Sequence, residues 1–235
     1  MRLCVIPARG GSKRIPRKNI KQFHGKPIIA YSIEAAIDSE CFDKIIVSTD
    51  DQEIASIARD YGAETPFIRP GVLADDHTGS DDVIRHAIRW YQNLSQEVEY
   101  ACCIYATAPF VSYVDIQRGL ELLIETNKDF AYSVAEFSFP IQRAVRIKPD
   151  ENGVEPFNSK NMGVRSQDLE TAYHDAGQFY WGKACAYIED RSFYSSQTIP
   201  IVLPSYRVQD IDTIDDWRRA ELMYQTYLEK GQSND

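Results

Sequence analysis

The sequence lacks any apolar run that approaches the roughly 18 to 20 residues needed to span a bilayer. It also lacks a signal-peptide pattern, because the apolar stretch in its opening residues, MRLCVIPARGG, is too short. No polar low-complexity tract interrupts the chain, and 43% of its residues are hydrophobic. These absences argue against a membrane protein and against a largely disordered one. We therefore expect a cytoplasmic globular protein.

Paired cysteines and an excess of positive charge are also missing. The five cysteines are odd in number and include no C-x-x-C pair, so buried free thiols are favoured over zinc ligands or disulfides. The formal net charge of −9 argues against a nucleic-acid partner. Within this acidic chain, however, the first 33 residues contain eight Lys or Arg and no Asp or Glu. This local bias predicts an anion-binding site.

Apolar periodicity along the 235 residues predicts an α/β fold. Short apolar runs typical of strands alternate with segments whose apolar residues recur at helical spacing. The predicted strands cover residues 3–6, 44–48, 64–68, 100–104, 130–134, 178–181 and 199–203. Because helical segments separate most of these runs, the pattern predicts one domain, residues 1–235, with a largely parallel sheet flanked by helices.

The alternation breaks between residues 136 and 173. This segment is polar and irregular, and prolines and glycines interrupt it repeatedly. We interpret residues 136–173 as an arm inserted into the domain, with a small β-rich structure. Since the arm has too few periodic apolar residues to form its own core, we expect it to be ordered mainly by packing across a two-fold interface.

The loop after the first predicted strand combines two adjacent glycines with five cations. In an open α/β sheet, ligands bind beyond the carboxyl ends of the strands, where this loop lies. Its candidate residues are Arg9, Gly10, Gly11, Ser12, Lys13, Arg14, Arg17, Lys18 and Asn19. Glycines let a backbone approach a phosphate, and Lys and Arg form charge-assisted hydrogen bonds to its oxygens. The glycine spacing matches neither a Walker A loop nor a G-x-G-x-x-G motif. We predict a polyphosphate site, with a solvated basic turn as the alternative.

Two aspartates near the C-terminus, Asp210 and Asp212, suit the chemistry of such a loop. Phosphoryl and nucleotidyl transfer usually needs a divalent metal, and carboxylates are its hard-oxygen ligands. If this segment is extended, alternation directs both carboxylates to one face and Ile211 toward the core. The alternative is that Asp212 caps the following helix, at whose start Thr213 and Asp216 fit a capping box.

Several ordered motifs resemble those of one enzyme family. The segments IPARGGSKRIPRKN, FDKIIVSTDD, IRPGVLADD and QDIDT resemble motifs of the sialic-acid-type (N-acylneuraminate) cytidylyltransferases, and the resemblance extends over nearly the whole chain. It implies a Rossmann-like nucleotide-binding domain, CTP as the donor and Mg²⁺ as the cofactor. It also implies a homodimer whose dimerisation arm corresponds to residues 136–173.

Position by position, the resemblance implies a nucleotide site and a metal site. The nucleotide-binding positions are Arg9, Ser12, Lys13, Lys18 and Asn19 in the loop that contains Gly10 and Gly11, with Arg69 and Ser80 around the cytidine. Asp210 and Asp212 match the paired metal aspartates, and we expect Lys18 and Asp212 to be catalytic. The implied reaction is attack of a sugar 2-hydroxyl on the α-phosphate of CTP, with loss of pyrophosphate and no covalent enzyme intermediate.

Two segments depart from the neuraminate-specific enzymes. Residues 105–109 read YATAP in place of a Q-P-T-S-P-like segment, and residues 173–177 read YHDAG in place of an F-R-P-N-G-like segment that carries an arginine near the sugar carboxylate. The segments IYATAPF, FPIQRA and YHDAGQFYWG resemble the pseudaminic acid branch of the family more closely. The expected acceptor is therefore an acidic nine-carbon sugar of the pseudaminic acid type, with N-acetylneuraminate and legionaminate as alternatives.

The same segments supply the candidate acceptor residues. These are Tyr105, Gln142, Arg143, His174 and Gln178. Arg143 is the candidate cation for the sugar carboxylate, while a structural role for His174 and core packing of Tyr105 are the alternatives. Phe179, Tyr180 and Trp181 are candidates for apolar contact with the sugar, although strand alternation lets only one side of this run face it.

Two further functions use parts of the same pattern. A magnesium-dependent nucleotide hydrolase would use the aspartate pair but would turn over CTP without a sugar. A non-catalytic nucleotide sensor would need the basic loop but not the aspartates.

Overall fold

The computed structural model of the protein describes residues 1–76, 78–148 and 152–232. Within these residues the chain forms ten strands and six α-helices. The strands are β1 (Arg2–Pro7), β2 (Gln22–Phe23), β3 (Lys26–Pro27), β4 (Lys44–Ser48), β5 (Tyr100–Ile104), β6 (Phe130–Glu136), β7 (Val145–Lys148), β8 (Gly153–Pro156), β9 (Tyr173–Lys183) and β10 (Thr198–Leu203). The helices are α1 (Ile28–Asp38), α2 (Gln52–Asp60), α3 (Ser80–Asn93), α4 (Tyr113–Thr126), α5 (Ala184–Ile188) and α6 (Ile214–Gln232). Of the helices so described, none is both long enough and apolar enough to cross a membrane.

Six strands form the main sheet in the order β10-β6-β9-β5-β1-β4. β1 pairs in parallel with β4 and β5, and β6 pairs in parallel with β10. β9 alone among these six runs antiparallel, between β5 and β6. The sheet is therefore mostly parallel, which confirms the predicted α/β class.

Alternation along β1 builds the two layers of the core. Cys4 and Ile6 pack with residues of α1, α2 and α4 on one face of the sheet. Leu3 and Val5 pack with residues of α3 and α5 on the other face. All four side chains are fully buried. All five cysteines are free thiols, as predicted, and four of them are buried.

Residues 64–68 do not form the predicted strand. Glu64 makes an isolated parallel bridge to Ile46, after which the segment leaves the sheet. Pro66 has no backbone N–H with which to extend a ladder, and Pro70 follows soon after it. The prediction was wrong here because apolar character alone does not supply the hydrogen-bond donors of a strand.

The predicted arm, residues 136–173, leaves the main sheet after Glu136 and returns to it at Tyr173, where these two residues pair. Its described part contains a small β-structure. β7 and β8 pair in an antiparallel hairpin that is separate from the main sheet. Large apolar side chains of this arm face solvent, since Phe139 is 82% exposed, Ile147 77% and Val154 70%. A single chain thus offers these side chains no apolar environment, and assembly through the arm stays a prediction.

One edge of the sheet gathers the loops that carry most of the predicted site. Because β1, β4 and β5 are parallel, their carboxyl ends lie at the same edge. The antiparallel β9 begins at this edge too, and the amide of Tyr105 donates to the carbonyl oxygen of Gln178 at 3.0 Å. The basic loop, the segment after β5 and the start of β9 are therefore neighbours.

Candidate active site

A cavity of about 250 Å³ opens at this edge of the sheet. Ten of the candidate residues line it, namely Arg9, Ser12, Lys13, Arg14, Lys18, Asn19, Arg69, Ser80, Tyr105 and Asp212. Asp75, Asp76 and Thr78 also line it, although no pattern in the sequence predicted a role for them. The fold thus brings four distant segments of the chain into one cleft, which we call the first cavity.

The loop after β1 is held in shape by its own contacts. Gly10 packs so closely on Asp51 that a Cβ at this position would lie 2.9 Å from the Oδ2 of Asp51. The N–H of Gly10 donates to the Oδ1 of Asp50 at 2.9 Å, so this amide is already used within the protein. The Nδ2 of Asn19 donates to the carbonyl oxygen of Arg9 at 2.9 Å. The glycine therefore serves a close packing contact in this structure.

Arg17 anchors the same loop from outside the cavity. Its backbone is left-handed, with φ at 56°, and its Nη1 donates to the Oδ2 of Asp51 at 2.6 Å. Its guanidinium also pairs with Glu53. The hydrogen bond from Arg17 lowers the pKa of Asp51 to about 2. Gly11 has open space where a Cβ would stand and, like Gly10, does not line the cavity.

Asp76 binds two of the cations predicted to hold phosphate. Its Oδ1 accepts from the Nη1 of Arg9 at 2.7 Å, and its Oδ2 pairs with the ammonium of Lys13. The Nη1 of Arg9 also donates to the carbonyl oxygen of Asp75 at 2.6 Å. Hydrogen bonds from Lys13 and Arg9 lower the pKa of Asp76, which is therefore ionised at neutral pH. The segment IRPGVLADD contained these acids, but their position in the sequence did not reveal which cations they contact.

Lys18 and Asp212 meet inside the cavity. The Nζ of Lys18 donates to the carbonyl oxygen of Ile211 at 2.6 Å and lies 3.3 Å from the Oδ1 of Asp212. The Nη2 of Arg14 lies 3.0 Å from the Oδ2 of the same carboxylate. Ile211 is fully buried, as the alternation of this segment predicted. The basic loop and the aspartate segment are therefore directly connected.

Asp212 is not the cap of α6. The Oγ1 of Thr213 accepts from the N–H of Asp216 at 3.2 Å, and the Oδ2 of Asp216 accepts from the N–H of Thr213 at 2.8 Å. This pair is the predicted capping box. The capping alternative for Asp212 is thereby removed, and its carboxylate contacts the cavity cations instead.

Asp210 does not line the cavity, but it is electrostatically coupled to Asp212. Partial withdrawal of its carboxyl group from water and the charge of Asp212 raise the pKa of Asp210, although other atoms of the residue remain exposed. Across the described ranges, no group of three or more His, Cys, Asp or Glu side chains could hold a metal. An aspartate pair fits Mg²⁺, which usually takes one or two carboxylates and completes its shell with phosphates and water.

Arg69 places a buried positive charge beside the cavity. The residue is only 5% exposed, and its Nε donates to the Oγ of Ser48 at 3.1 Å. Its guanidinium also bonds to the carbonyl oxygen of Ser48. Burial lowers the pKa of Arg69 to about 10, so the side chain stays protonated at neutral pH. Its position is thus fixed before any ligand arrives.

Two predicted acceptor residues lie on the arm, away from the lining of the first cavity. Gln142 lines a separate depression and donates from its Nε2 to the carbonyl oxygen of Glu170 at 2.6 Å. The Nη1 of Arg143 lies 3.4 Å from the Oγ of Ser166. The structure of one chain therefore does not bring these side chains to the nucleotide loop.

The two predicted acceptor residues on β9 are also absent from that lining. The Nδ1 of His174 lies 2.8 Å from the carbonyl oxygen of Asp175. Gln178 is 3% exposed, and its Nε2 donates to the carbonyl oxygen of Arg207 at 2.5 Å. These contacts favour the structural alternative for His174 within a single chain.

A second cavity of about 190 Å³ adjoins the first and shares Ser80 and Tyr105 with it. Its other described lining residues are Asp81, Ile84, Cys103, Tyr132, Asp175, Tyr180, Phe193 and Tyr194. Tyr180 faces this cavity, whereas Phe179 and Trp181 are fully buried in the core, as strand alternation requires. Burial raises the pKa of Tyr105 to about 12, so its hydroxyl keeps its proton at neutral pH. Among these new residues, Asp175 and Tyr180 had a signal in the sequence, in the departure at YHDAG and in the aromatic run 179–181.

Comparison with known sequences supports a shared architecture along the whole chain. A pseudaminic acid cytidylyltransferase of Campylobacter jejuni is 45% identical over 229 residues, which cover 97% of this chain and 98% of that protein. A CMP-N,N'-diacetyllegionaminic acid synthase of Legionella pneumophila is 34% identical, with 93% of this chain and 94% of that protein covered.

A solved structure and a protein-family match also resemble this chain over nearly its whole length. A CMP:2-keto-3-deoxy-manno-octonic acid synthetase solved in complex with CTP superposes with a TM-score of 0.68 over 96% of this chain and 99% of that one. At 16% identity this likeness shows the fold alone. Residues 3–228 match the family described as cytidylyltransferase. The chain therefore belongs to the cytidylyltransferase family.

Proposed function

We propose that the protein transfers CMP from CTP to the anomeric 2-hydroxyl of a nine-carbon 2-keto-3-deoxy sugar acid, and that this acid is pseudaminic acid. The observation that carries the proposal is the cleft in which Arg9, Lys13 and Lys18 lie with Asp212. Cations along such a cleft neutralise a triphosphate through charge-assisted hydrogen bonds. The relative from C. jejuni that carries the pseudaminic acid name supports the choice of acceptor.

In the proposed reaction, the 2-hydroxyl oxygen forms a bond to the α-phosphorus of CTP. The bond from this phosphorus to the oxygen that bridges the α- and β-phosphates breaks, pyrophosphate leaves, and the hydroxyl proton passes to water. The contribution of the protein is positioning and charge neutralisation, with no covalent intermediate. Lys18 suits this role because the carbonyl oxygen of Ile211 restrains its ammonium at 2.6 Å.

We propose Asp210 and Asp212 as the protein ligands of Mg²⁺. When bound, the ion would reduce the negative charge on the phosphates during transfer. Burial of its carboxyl group and the charge of Asp212 both raise the pKa of Asp210. The second effect supports this assignment, because a bound cation would relieve the repulsion between the two carboxylates. Arg14 and Lys18 balance the charge of Asp212 without the ion.

The choice of acceptor rests on the second cavity. Pseudaminic acid carries a second acylamino group and a terminal methyl group where neuraminate has hydroxyls, so it needs apolar contact as well as hydrogen-bond partners. Tyr132, Tyr180, Phe193 and Tyr194 provide an aromatic lining of that kind next to the nucleotide cavity. A site shaped for those groups would leave neuraminate hydroxyls unpaired, which gives strong discrimination.

Pyrophosphate release with a matrix of nucleotides and sugar acids tests the proposal. CTP, UTP, ATP and GTP would each be incubated with pseudaminic acid, legionaminic acid or N-acetylneuraminate, and with no sugar. We expect rapid release only with CTP and pseudaminic acid. Turnover of CTP without a sugar would favour a hydrolase, and binding of CTP without turnover in any pair would favour a sensor. Preference for another sugar acid would limit the proposal to cytidylyl transfer.

We also propose a homodimer that assembles through the arm at residues 136–173. Support comes from the exposed apolar side chains of this segment, which include Ile147, Val154 and Phe157. Burial of such side chains at a two-fold interface would stabilise both the arm and the dimer.

A further inference from the structure

Asp175 ends a series of hydroxyl contacts that leads from the first cavity into the second. The Oγ of Ser80 lies 3.4 Å from the hydroxyl of Tyr105. The rings of Tyr105 and Tyr180 are neighbours, with centroids 5.1 Å apart. The hydroxyl of Tyr180 lies 2.8 Å and 2.9 Å from the two carboxylate oxygens of Asp175. The polar wall between the nucleotide loop and the second cavity therefore ends on a carboxylate.

The local backbone holds this carboxylate in place. The N–H of Gly177 donates to the Oδ1 of Asp175 at 2.8 Å. Gly177 has a φ of 63°, a left-handed conformation in which glycine is favoured. Asp175 lies in β9 where the pairing with β6 shifts register between Tyr132 and Val134. The residue is exposed, but its contacts to Gly177 and Tyr180 restrain its carboxylate.

The two cavities differ in the sign of their charge. Five Lys or Arg side chains line the first cavity, against three aspartates. Among the described residues that line the second, the charged side chains are Asp81 and Asp175. The nearby cation Arg85 is already paired with Asp82 and Asp190. Coulomb repulsion therefore keeps an anionic group out of the second cavity.

This difference orients an acidic sugar that spans both cavities. Its carboxylate must lie on the side of the cations, and a neutral part of the molecule must enter the second cavity. There, a carboxylate can accept a hydrogen bond from an N–H, and aromatic rings can contact an acyl methyl group. The rings of Tyr132 and Tyr180 are stacked with centroids 6.0 Å apart, and Tyr194 is 83% exposed. An acylamino substituent can make both contacts, because its N–H is a donor and its acyl methyl group is apolar.

Building on the proposed function, we propose that Asp175 is a specificity-determining residue for the acceptor. Its carboxylate accepts a hydrogen bond from an acylamino N–H on the part of the sugar acid remote from the sugar's own carboxylate. Tyr180 is a positioning residue that holds Asp175 for this contact. A carboxylate offers about four lone-pair sites, so the contacts to Tyr180 and Gly177 leave capacity for another donor.

The test compares wild type with Asp175→Asn on two acceptors and on CTP. One acceptor is pseudaminic acid, and the other is the same acid with hydrogen in place of the remote acylamino group. We expect Asp175→Asn to lower kcat/KM for pseudaminic acid by about tenfold, because the amide oxygen still accepts a hydrogen bond but lacks the negative charge that strengthens it. The KM for CTP should stay at its wild-type value. With the deoxy acceptor, the variant and wild type should differ by less than about threefold.

Tyr180→Phe is the second variant, since it keeps the ring and removes the hydroxyl that holds Asp175. It should give a smaller loss, again confined to the acceptor that carries the acylamino group, and it serves as the test if Asp175→Asn does not fold. Equal losses on both acceptors, or a parallel rise in the KM for CTP, would overturn the role of Asp175 while leaving the proposed function intact. A wild-type protein that transfers CMP to no sugar acid would refute the proposed function, and this inference with it.

Discussion

The Nζ of Lys18 lies 3.3 Å from the Oδ1 of Asp212, although 194 positions separate these residues in the sequence. The same ammonium donates to the carbonyl oxygen of Ile211 at 2.6 Å. One lysine therefore connects the loop after β1 to the segment before α6. Lys18, which we propose to neutralise phosphate, therefore lies beside Asp212, which we propose to bind the metal.

Replacement of Lys18 by alanine should impair the use of CTP. Loss of a charge-assisted hydrogen bond costs about 1.5 to 3 kcal/mol, so kcat/KM for CTP should fall roughly ten- to a hundredfold. Steady-state kinetics at saturating sugar acid measures this. Lys44→Ala is the matched control, because Lys44 lies at the amino end of β4 and pairs with Glu64 on the surface. An unchanged constant for CTP in Lys18→Ala would contradict the assignment.

Substitution of Asp212 should impair catalysis, whereas substitution of Asp216 should lower the stability of the fold. Asp212→Asn should reduce kcat by orders of magnitude with little change in Tm, because its carboxylate is proposed to hold the metal. Asp216→Ala should keep most of the activity but lower stability by about 1 kcal/mol, because it removes half of the capping box. Treatment with EDTA should abolish activity, and added Mg²⁺ should restore it. A folded Asp212→Asn variant with normal kcat would refute the metal role.

The pair of Arg17 and Asp51 should contribute stability that depends on pH. Because the pKa of Asp51 is lowered to about 2 in the folded protein, this contribution is complete above the ordinary carboxyl pKa of 3.8 and is lost as pH falls toward 2. Asp51 also caps α2 by accepting from the N–H of Ile54 at 3.0 Å. Asp51→Ala should therefore cost about 1 kcal/mol at pH 7. The difference in unfolding free energy between wild type and variant should shrink below pH 4, and a constant difference from pH 7 to pH 3 would contradict this account.

Gly182 should tolerate no side chain. A Cβ at this position would lie 2.6 Å from Phe130 and 2.7 Å from Tyr187. Both neighbours are buried rings that cannot move away without opening the core. Gly182→Ala should destabilise the protein by about 1 to 3 kcal/mol in chemical denaturation. Gly163→Ala is the control, since a Cβ there would meet no atom within 4 Å, and a similar loss in both variants would argue against the steric cause.

A charge placed on the arm should weaken the proposed dimer. Ile147→Asp introduces a carboxylate at a side chain that is 77% exposed in one chain, and burial of that charge at an interface would be costly. Sedimentation velocity at micromolar concentration should show a dimer for wild type and a shift toward monomer for the variant. Leu94→Asp, at an exposed position on the main domain, should leave the dimer intact. A monomeric wild type would count decisively against the arm as an interface.

The parts of the fold that could be predicted are those with a local pattern. β4 and β5 were predicted at their observed bounds, because each is a continuous apolar run. The capping box at Thr213 was equally local. The antiparallel direction of β9 had no such signal, since a strand pattern carries no information about which neighbours it will pair with.

In the candidate site, too, residues with a local signal in the sequence could be predicted, whereas contacts between distant segments could not. Charge and motif mark Arg9, Lys18 and Asp212 in the sequence, and all three line the first cavity, while their roles stay predictions. The contacts of Asp76 could not be predicted, because they depend on how loops from distant segments meet. Tyr180 lies between Phe179 and Trp181 in an uninterrupted aromatic run, and only the face of the sheet decides that it lines a cavity.

Asp76 gives the first cavity a built-in counterion. Its two oxygens already contact Arg9 and Lys13, so the triphosphate that we propose to bind here would exchange places with a carboxylate. Replacement of one anion by another changes the net charge around Arg9 and Lys13 only a little. Binding of a phosphate to the same cations without a counterion would change it more. It follows that salt should weaken nucleotide binding only modestly at this end of the site. When pyrophosphate leaves, the returning carboxylate offers the cations a replacement partner, which favours release of the product over its retention.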